Sequence, residues 1–385
     1  MIIPTIWLEA THVLSSRGRN RTGIGHYTEE LITNLADLNS KASYTVVGNV
    51  FITSPPRFLN PRIQNIHYRL TRLFPGKVWN QLFKKHVLPP LNMLIPGKPD
   101  LVVFFNFVRY PVTPGTKTMV VIHDLAYEKY PQTIQGRNRT YLQSFVPRAA
   151  HNATRLIAVS DATKRDIVEI YGVKPEKISV VYPGVDTKHF KPTKITNAVR
   201  DRYKLPEKYF LFVSTLEPRK NVSGIIDAYR ALPDSTKREY GLVLTGGAGW
   251  LAEDIMSAIA EGDPIGAIIK TSFVGDEDMP SLYSGASAFI FPSLYEGFGI
   301  PILEAMACGT PVITANNSSL PEAGGDAAIY ISADNTPAIT AAILRLISNS
   351  SLSEDLIKKG LERASEFSWE KSAVQMQAAI ERALE

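Results

Sequence analysis

The sequence predicts an α/β protein made of two doubly wound domains that face each other across a cleft. Three observations carry this. Short β-branched runs alternate with amphipathic helix patterns from end to end, and such alternation means parallel sheets covered on both faces. The alternation breaks once, at residues 188–206, a charged and polar stretch with two prolines, where the hinge is expected. A length of 385 residues suits two domains of ordinary size. Ligands of such sheets bind outside the carboxyl ends of the strands, so functional groups are sought in the loops that follow strands.

In chain order, residues 2–8 read as the first strand. The run is short, lacks a basic lead and meets Glu9 at once, which argues against a secretory signal. A glycine-bearing segment and a helix over 24–38 follow. Strands are expected at 44–48, 101–105, 119–122, 155–159 and 178–181, with helices at 143–152 and 162–171. Beyond the hinge the strands are 209–214, 242–245, 268–273, 288–291 and 311–314, and helices cover 222–232, 279–285 and 301–307. Pro301 suits the first position of its helix and Gly309 its end. A final helix over 368–384 follows Phe367-Ser368-Trp369 and suits packing on either domain. The most apolar run, 101–108, is far below the ~20 residues of a membrane span, so a cytoplasmic protein is expected.

Composition narrows the function classes. Apolar residues at 44% and charged residues at 21% describe a chain with a proper core and exclude a disordered or collagen-like one. A single cysteine, Cys308, excludes an intramolecular disulfide and any Cys-clustered metal site. The net charge of +5 hides an asymmetry: residues 1–193 hold 25 basic and 12 acidic residues, residues 194–385 hold 17 and 25. Two domains with opposite electrostatic tasks is the simplest reading, and chance clustering of surface charge the plain one.

Five constellations stand out. The first runs from Phe291 to Gly309 and holds Glu296, Gly297, Phe298, Gly299, Ile300 and, in the first turn of the expected helix, Glu304. Gly297 and Gly299 permit close backbone approach, and the amides of Gly299 to Ile302, Pro301 excepted, would face an anion at the helix start. Two carboxylates beside such a site would repel phosphate and more reasonably grip hydroxyls. In the second, Ser214-Thr215-Leu216-Glu217-Pro218-Arg219-Lys220-Asn221, adjacent cations end a strand and open a helix. A helix start disfavours cations, so this pair reads as a clamp on diphosphate, Arg by a fork and Lys as a point charge.

The third, Arg21-Thr22-Gly23-Ile24-Gly25-His26-Tyr27, is a glycine loop lacking both the third glycine of a dinucleotide fingerprint and the Gly-Lys-Ser/Thr of a P-loop. The fourth is His123-Asp124 at the end of strand 119–122. Fifth, residues 57–98 carry Arg57, Arg62, Arg69, Arg72, Lys77, Lys84, Lys85 and Lys98, no acid, and interleaved Phe58, Tyr68, Phe74, Trp79 and Phe83. That mixture suits an anionic partner, or equally a helix near 76–86 that buries its aromatics and solvates its lysines.

Together these motifs resemble the retaining glycosyltransferases of the GT-B fold, the group 1 or GT4 family, with its two Rossmann-like domains facing a cleft. The resemblance rests on Glu296-Gly297-Phe298-Gly299 and Glu304-Ala305-Met306-Ala307-Cys308-Gly309-Thr310-Pro311-Val312, with seven residues between the glutamates. It rests also on Glu217-Pro218-Arg219-Lys220-Asn221, Tyr283-Ser284-Gly285-Ala286, Ala158-Val159-Ser160-Asp161, Tyr182-Pro183-Gly184-Val185-Asp186 and Phe367-Ser368-Trp369, all in family order. The Arg-Thr-Gly-Ile-Gly variant of the glycine loop resembles bacterial mannosyltransferases of O-antigen and exopolysaccharide assembly.

The resemblance implies an acceptor-binding domain at residues 1–190, to which the helix 368–385 crosses back, and a donor-binding domain at 191–367. It implies that Arg219 and Lys220 hold the donor diphosphate and Glu304 the ribose. Glu296, with the backbone of Gly297, Phe298, Gly299 and Ile300, would hold the sugar. His123 would sit beside the sugar and Gly23 and Gly25 near the phosphates, while Gly246 and Val274 would edge the nucleotide. The donor is expected to be GDP-mannose, with UDP-glucose or UDP-N-acetylglucosamine as the alternative, and no metal or other cofactor. The acceptor is expected to be a glycan, or one linked to a lipid diphosphate, with the basic domain against the inner face of the plasma membrane. A non-catalytic nucleotide-sugar scaffold is the rival from another class. Nucleic acid binding has no aromatic signature or zinc spacing behind it, and the acidic second half opposes it.

Overall fold

The computed structural model describes residues 4–14, 23–38, 43–51, 66–271 and 273–385. The chain forms two compact units, one of residues 1–125, 140–183 and 369–385, the other of residues 126–139 and 184–368. The change of unit falls at Pro183/Gly184, just before the polar stretch 188–206, and the short segment 126–139 clusters with the second unit, which no local pattern announces.

The first unit is a seven-stranded parallel sheet. Its strands are β1 (Thr5–Glu9), β2 (Ser43–Asn49), β3 (Ile66–Thr71), β4 (Leu101–Phe104), β5 (Lys117–Ile122), β6 (Arg155–Ala158) and β7 (Ile178–Val180), in the order β3-β2-β1-β4-β5-β6-β7. The central strand β4 is apolar throughout, and β5 is apolar from Met119 onward, because both faces are covered. The last helix, Trp369–Leu384, packs in this unit on the helix Gly23–Asp37, where Trp369 meets the edges of His26 and Tyr27.

The second unit is a six-stranded parallel sheet of β8 (Lys208–Val213), β9 (Tyr240–Thr245), β10 (Ile268–Lys270), β11 (Ala288–Phe291), β12 (Val312–Ala315) and β13 (Ala328–Ile331), in the order β10-β9-β8-β11-β12-β13. Each sheet reverses its winding once, between β1 and β4 and between β8 and β11. Such a reversal splays the following loops apart and opens a crevice at the carboxyl ends.

Several expectations need correction. β3 and β13 go unread in the sequence, and the strand expected over 268–273 ends at Lys270. The helix in the basic stretch is real, Gly76–Lys84, and its aromatics turn inward: Trp79 and Phe83 are buried against Tyr110, and Phe83 stacks on Phe145. Lys77, Lys84 and Lys85 stay exposed. Arg57, Phe58 and Arg62, like Arg21 and Thr22, lie outside the described residues.

Candidate functional site

The reversal between β8 and β11 positions the main cluster. The loop after β8 enters a short 3-10 turn, Pro218–Lys220, and Asn221 closes it in the left-handed region at φ 54°. The loop after β11 returns alongside. The Leu294 amide donates to Arg219 O at 2.9 Å, and the Arg219 guanidinium donates to Tyr295 O at 2.8 Å. Arg219 Nη1 also reaches Glu296 Oε2 at 3.0 Å, and its Nη2 reaches Glu217 Oε1 at 2.9 Å. Lys220 Nζ donates to Glu296 Oε1 at 2.5 Å and lies 5.3 Å from the centre of the Phe291 ring. Behind this, the Glu296 amide donates to Ser318 Oγ, while Ser319 Oγ donates to the carbonyls of Glu296 and Phe298.

Four ionisable side chains, Arg219, Lys220, Glu217 and Glu296, are thus packed at low exposure, with Lys220 8% and Glu296 7% exposed. Burial alone would push the Glu296 carboxyl up, but Lys220 and then Arg219 outweigh it and hold it below the usual carboxylate range. Burial, and next to it the Arg219 charge, pull Lys220 down against the two glutamates. An ammonium has three donors and Glu296 takes one. The cluster is buried and charged, the setting in which fixed cations act most strongly on an incoming anion.

Next to it, Gly299 caps the helix Ile300–Ala307 at φ 117°, a conformation that excludes most side chains. The Ile302 amide donates to Gly299 O at 3.0 Å and is therefore not part of an anion-facing row; that row reduces to Gly299 and Ile300. Glu304 sits in the second turn of this helix, not the first, because the helix begins at Ile300 with no acid in its first turn. Its Oε2 accepts from Tyr283 Oη at 2.7 Å. Burial pushes Glu304 up to about 7, with the Tyr283 bond acting downward and Asp276 upward.

Family models for glycosyl transferases group 1 and for Glycosyltransferase Family 4 match residues 196–363 and 21–189. The O-antigen chain mannosyltransferase B of Escherichia coli is 33% identical over 262 residues, covering 67% of this chain and 68% of that protein. The chain belongs to the group 1 glycosyltransferases. It is also 27% identical over 265 residues to the serotype-specific mannosyltransferase WbdA of Escherichia coli, but spans only about a third of that longer protein (32%). Among solved structures, a sucrose-phosphate synthase from Thermosynechococcus elongatus matches with a TM-score of 0.75 at 19% identity over 98% of both chains, which establishes the shared GT-B fold.

Within this glycosyltransferase, the second unit brings Arg219, Lys220 and Glu296 into one cluster. Phe298 is buried behind it, and Gly246 is pressed against the end of β8. Val274 is buried in the loop after β10, where Gly275 donates to Tyr203 Oη at 3.2 Å. Gly23, Gly25 and His123 belong to the first unit. Gly23 and Gly25 lie in the opening turn of the helix Gly23–Asp37 rather than in a loop, and a Cβ on Gly23 would meet nothing within 4 Å. His123 ends β5 with Nε2 donating to Phe105 O at 2.7 Å, which leaves its lone pair on Nδ1. Burial lowers its pKa against the opposing pull of the Phe105 carbonyl and Asp124.

Sequence reasoning missed Glu217 as a partner of Arg219, the serines Ser318 and Ser319, and Tyr283. An Asp-x-Asp, Asp276-Glu277-Asp278, follows β10. Asp278 Oδ2 is taken by Arg202 at 2.6 Å and Tyr203 at 2.8 Å. Among the described residues no group of three or more His, Cys, Asp or Glu side chains is placed to hold an ion.

Proposed function

We propose that this chain moves mannose from GDP-mannose to a glycan, or to a glycan on a lipid diphosphate, in the synthesis of a bacterial cell-surface polysaccharide. The anomeric configuration is retained and no metal ion takes part. The observation that carries the chemistry is the Arg219–Lys220–Glu296 cluster at the reversal of the second sheet. The sugar and the pathway are supported by relatives named as O-antigen mannosyltransferases.

The bond between the anomeric carbon and the diphosphate breaks with its electron pair going to phosphate oxygen. Arg219 and Lys220 receive that charge, helped by the amides of Gly299 and Ile300, and such fixed donors are commonly worth ~3–4 kcal/mol each in the transition state. The departing oxygen takes the proton of the acceptor hydroxyl on the same face, where the new bond forms. Glu296 holds the sugar hydroxyls, Glu304 the ribose, and Gly246 and Val274 edge the nucleotide. The roles of His123, Gly23 and Gly25 inferred above belong to the same proposal. The test offers GDP-mannose, UDP-glucose and UDP-N-acetylglucosamine with a glycan-lipid extract, in excess chelator. Consumption of GDP-mannose with an α-linked product is expected. Preference for a UDP-sugar overturns the donor, loss of turnover in chelator overturns the metal-free step, and binding without turnover of any donor leaves a scaffold.

The basic half is proposed to rest on an anionic membrane surface. Among the described residues no helix is long and apolar enough to span a bilayer. Exposed Lys77, Lys84 and Lys85 lie in and just after the helix Gly76–Lys84, in a stretch that also exposes Leu73, Val78 and Val87. Flotation with phosphatidylglycerol vesicles at low salt, lost at high salt, is the expected result. Binding indifferent to lipid charge and salt would refute it.

A further inference from the structure

Tyr283 is fully buried, yet its hydroxyl meets the one carboxyl group assigned above to the ribose. The ring is gripped edge-on by Phe190 and Phe289, with centroids at 6.0 and 5.5 Å. Its backbone is fastened to the far end of the helix that carries Glu304. Thr310 Oγ1 donates to Tyr283 O at 2.7 Å, and the neighbouring Ser284 Oγ donates to Cys308 O at 2.9 Å. The hydroxyl is therefore fixed relative to the Glu304 helix from two directions. A glutamate side chain has three rotatable bonds, and a single anchored oxygen removes most of that freedom. A carboxylate offers about four lone-pair positions, and Tyr283 takes one on Oε2.

We propose that Tyr283 is a positioning residue for the nucleotide ribose, holding Oε2 of Glu304 so that Oε1 is presented to the ribose hydroxyls. This rests on the reading of Glu304 given above. The groups that face the carboxyl are Tyr283 from the helix Met279–Ser284, Asp276 from the loop before that helix, and Cys308 from the end of its own helix. Of these, only Tyr283 favours the ionised form, which is the better acceptor for a sugar hydroxyl.

The test is Tyr283→Phe, which keeps the ring and deletes the hydroxyl, with Glu304→Gln alongside. Binding of GDP and of 2′,3′-dideoxy-GDP is measured by calorimetry from pH 5.5 to 9. The unaltered protein is expected to bind GDP more tightly than the dideoxy analogue. Tyr283→Phe is expected to weaken GDP about tenfold, a loss characteristic of a hydrogen bond to a charged group, and to leave the analogue unchanged. The acid limb of GDP binding should move to higher pH, because loss of the hydroxyl lets burial raise Glu304 further. Donor KM should rise while kcat holds. Equal weakening of GDP and the analogue, or unchanged GDP binding, overturns the inference and leaves Tyr283 a packing residue. If the unaltered protein and Glu304→Gln both fail to distinguish GDP from its analogue, the ribose reading of Glu304 falls first, and the inference with it.

Discussion

Lys220→Met is expected to lower kcat by a factor of about 10²–10³ while the second unit stays folded. The magnitude follows from where the ammonium sits. It is buried, it is held by Glu296 and by the face of Phe291, and it needs no reorganisation when charge develops on a leaving diphosphate. Methionine keeps most of the stem and its packing over the ring, so the charge is what is removed. Breaking a buried ion pair usually costs ~3–5 kcal/mol because the other charge is stranded. Here the loss is smaller, since Arg219 remains 3.0 Å from Glu296. With the larger of its two charge partners gone, the Glu296 carboxyl rises toward the neutral range, and the variant's activity should depend more steeply on pH on the acid side. Donor turnover measured beside a thermal melt checks both parts. Activity near that of the unaltered protein would remove the cations from the leaving-group step. Lys220→Arg is not a rescue, because a planar fork cannot fill the place of a point charge in a site already closed by Arg219.

What sequence could show is bounded by distance along the chain. The strands β4, β5, β8 and β11 announce themselves because both faces are covered and, apart from the opening Lys117 of β5 and Lys208 of β8, every residue is apolar or β-branched. β3 hides because it is an edge strand, Ile66-His67-Tyr68-Arg69-Leu70-Thr71, mostly exposed and sharing its composition with a basic stretch. β13, Ala328-Ile329-Tyr330-Ile331, hides for a different reason: it is an apolar edge strand of only four residues, too short a run to tell strand from helix by period. In the site, Arg219 and Lys220 were legible as cations after a strand, and Glu296 as an acid in a glycine turn. Their mutual pairing, 76 and 77 residues apart, was not, and it alters the chemistry: a diphosphate meets cations already partnered by a carboxylate, not two bare cations. Tyr283 and Ser319 were invisible as site residues for the same reason, since a hydroxyl acquires meaning only from its partner in space. The count of exposed amides at the helix start was too generous by one, because local pattern cannot show that Ile302 turns back onto Gly299.

Gly246→Ala is expected to damage the second unit as severely as any single methyl can, while Gly247→Ala next to it is tolerated. The two glycines look alike as a Gly-Gly turn after a strand, and the backbone separates them. Gly246 adopts φ +145°, and a Cβ there would stand 1.9 Å from Ser214 O and 2.7 Å from Ser214 C. Those are backbone atoms and cannot swing aside. Gly247 would place its Cβ within 4 Å of nothing. The ends of β8 and β9 are zipped at this point: Ser214 donates to Thr245 O at 3.0 Å, Leu216 to Gly247 O at 2.9 Å, and Gly249 to Leu216 O at 2.9 Å. The added methyl must therefore either break that zip or push the loop from Ser214 to Lys220 away from Glu296. The strained backbone costs ~1–3 kcal/mol and the overlap at least as much again, so the melting transition should fall by about 10 °C at ~2–4 °C per kcal/mol. The same displacement shifts the loop that carries Arg219 and Lys220, and a misplacement of ~1 Å is enough to cost turnover even below the melt. Calorimetric melts and donor turnover of both variants check this. A Gly246→Ala protein that melts with the unaltered one would mean that β8 and β9 do not close on each other here, and that the loop carrying the two cations is held by something other than its own strand ends.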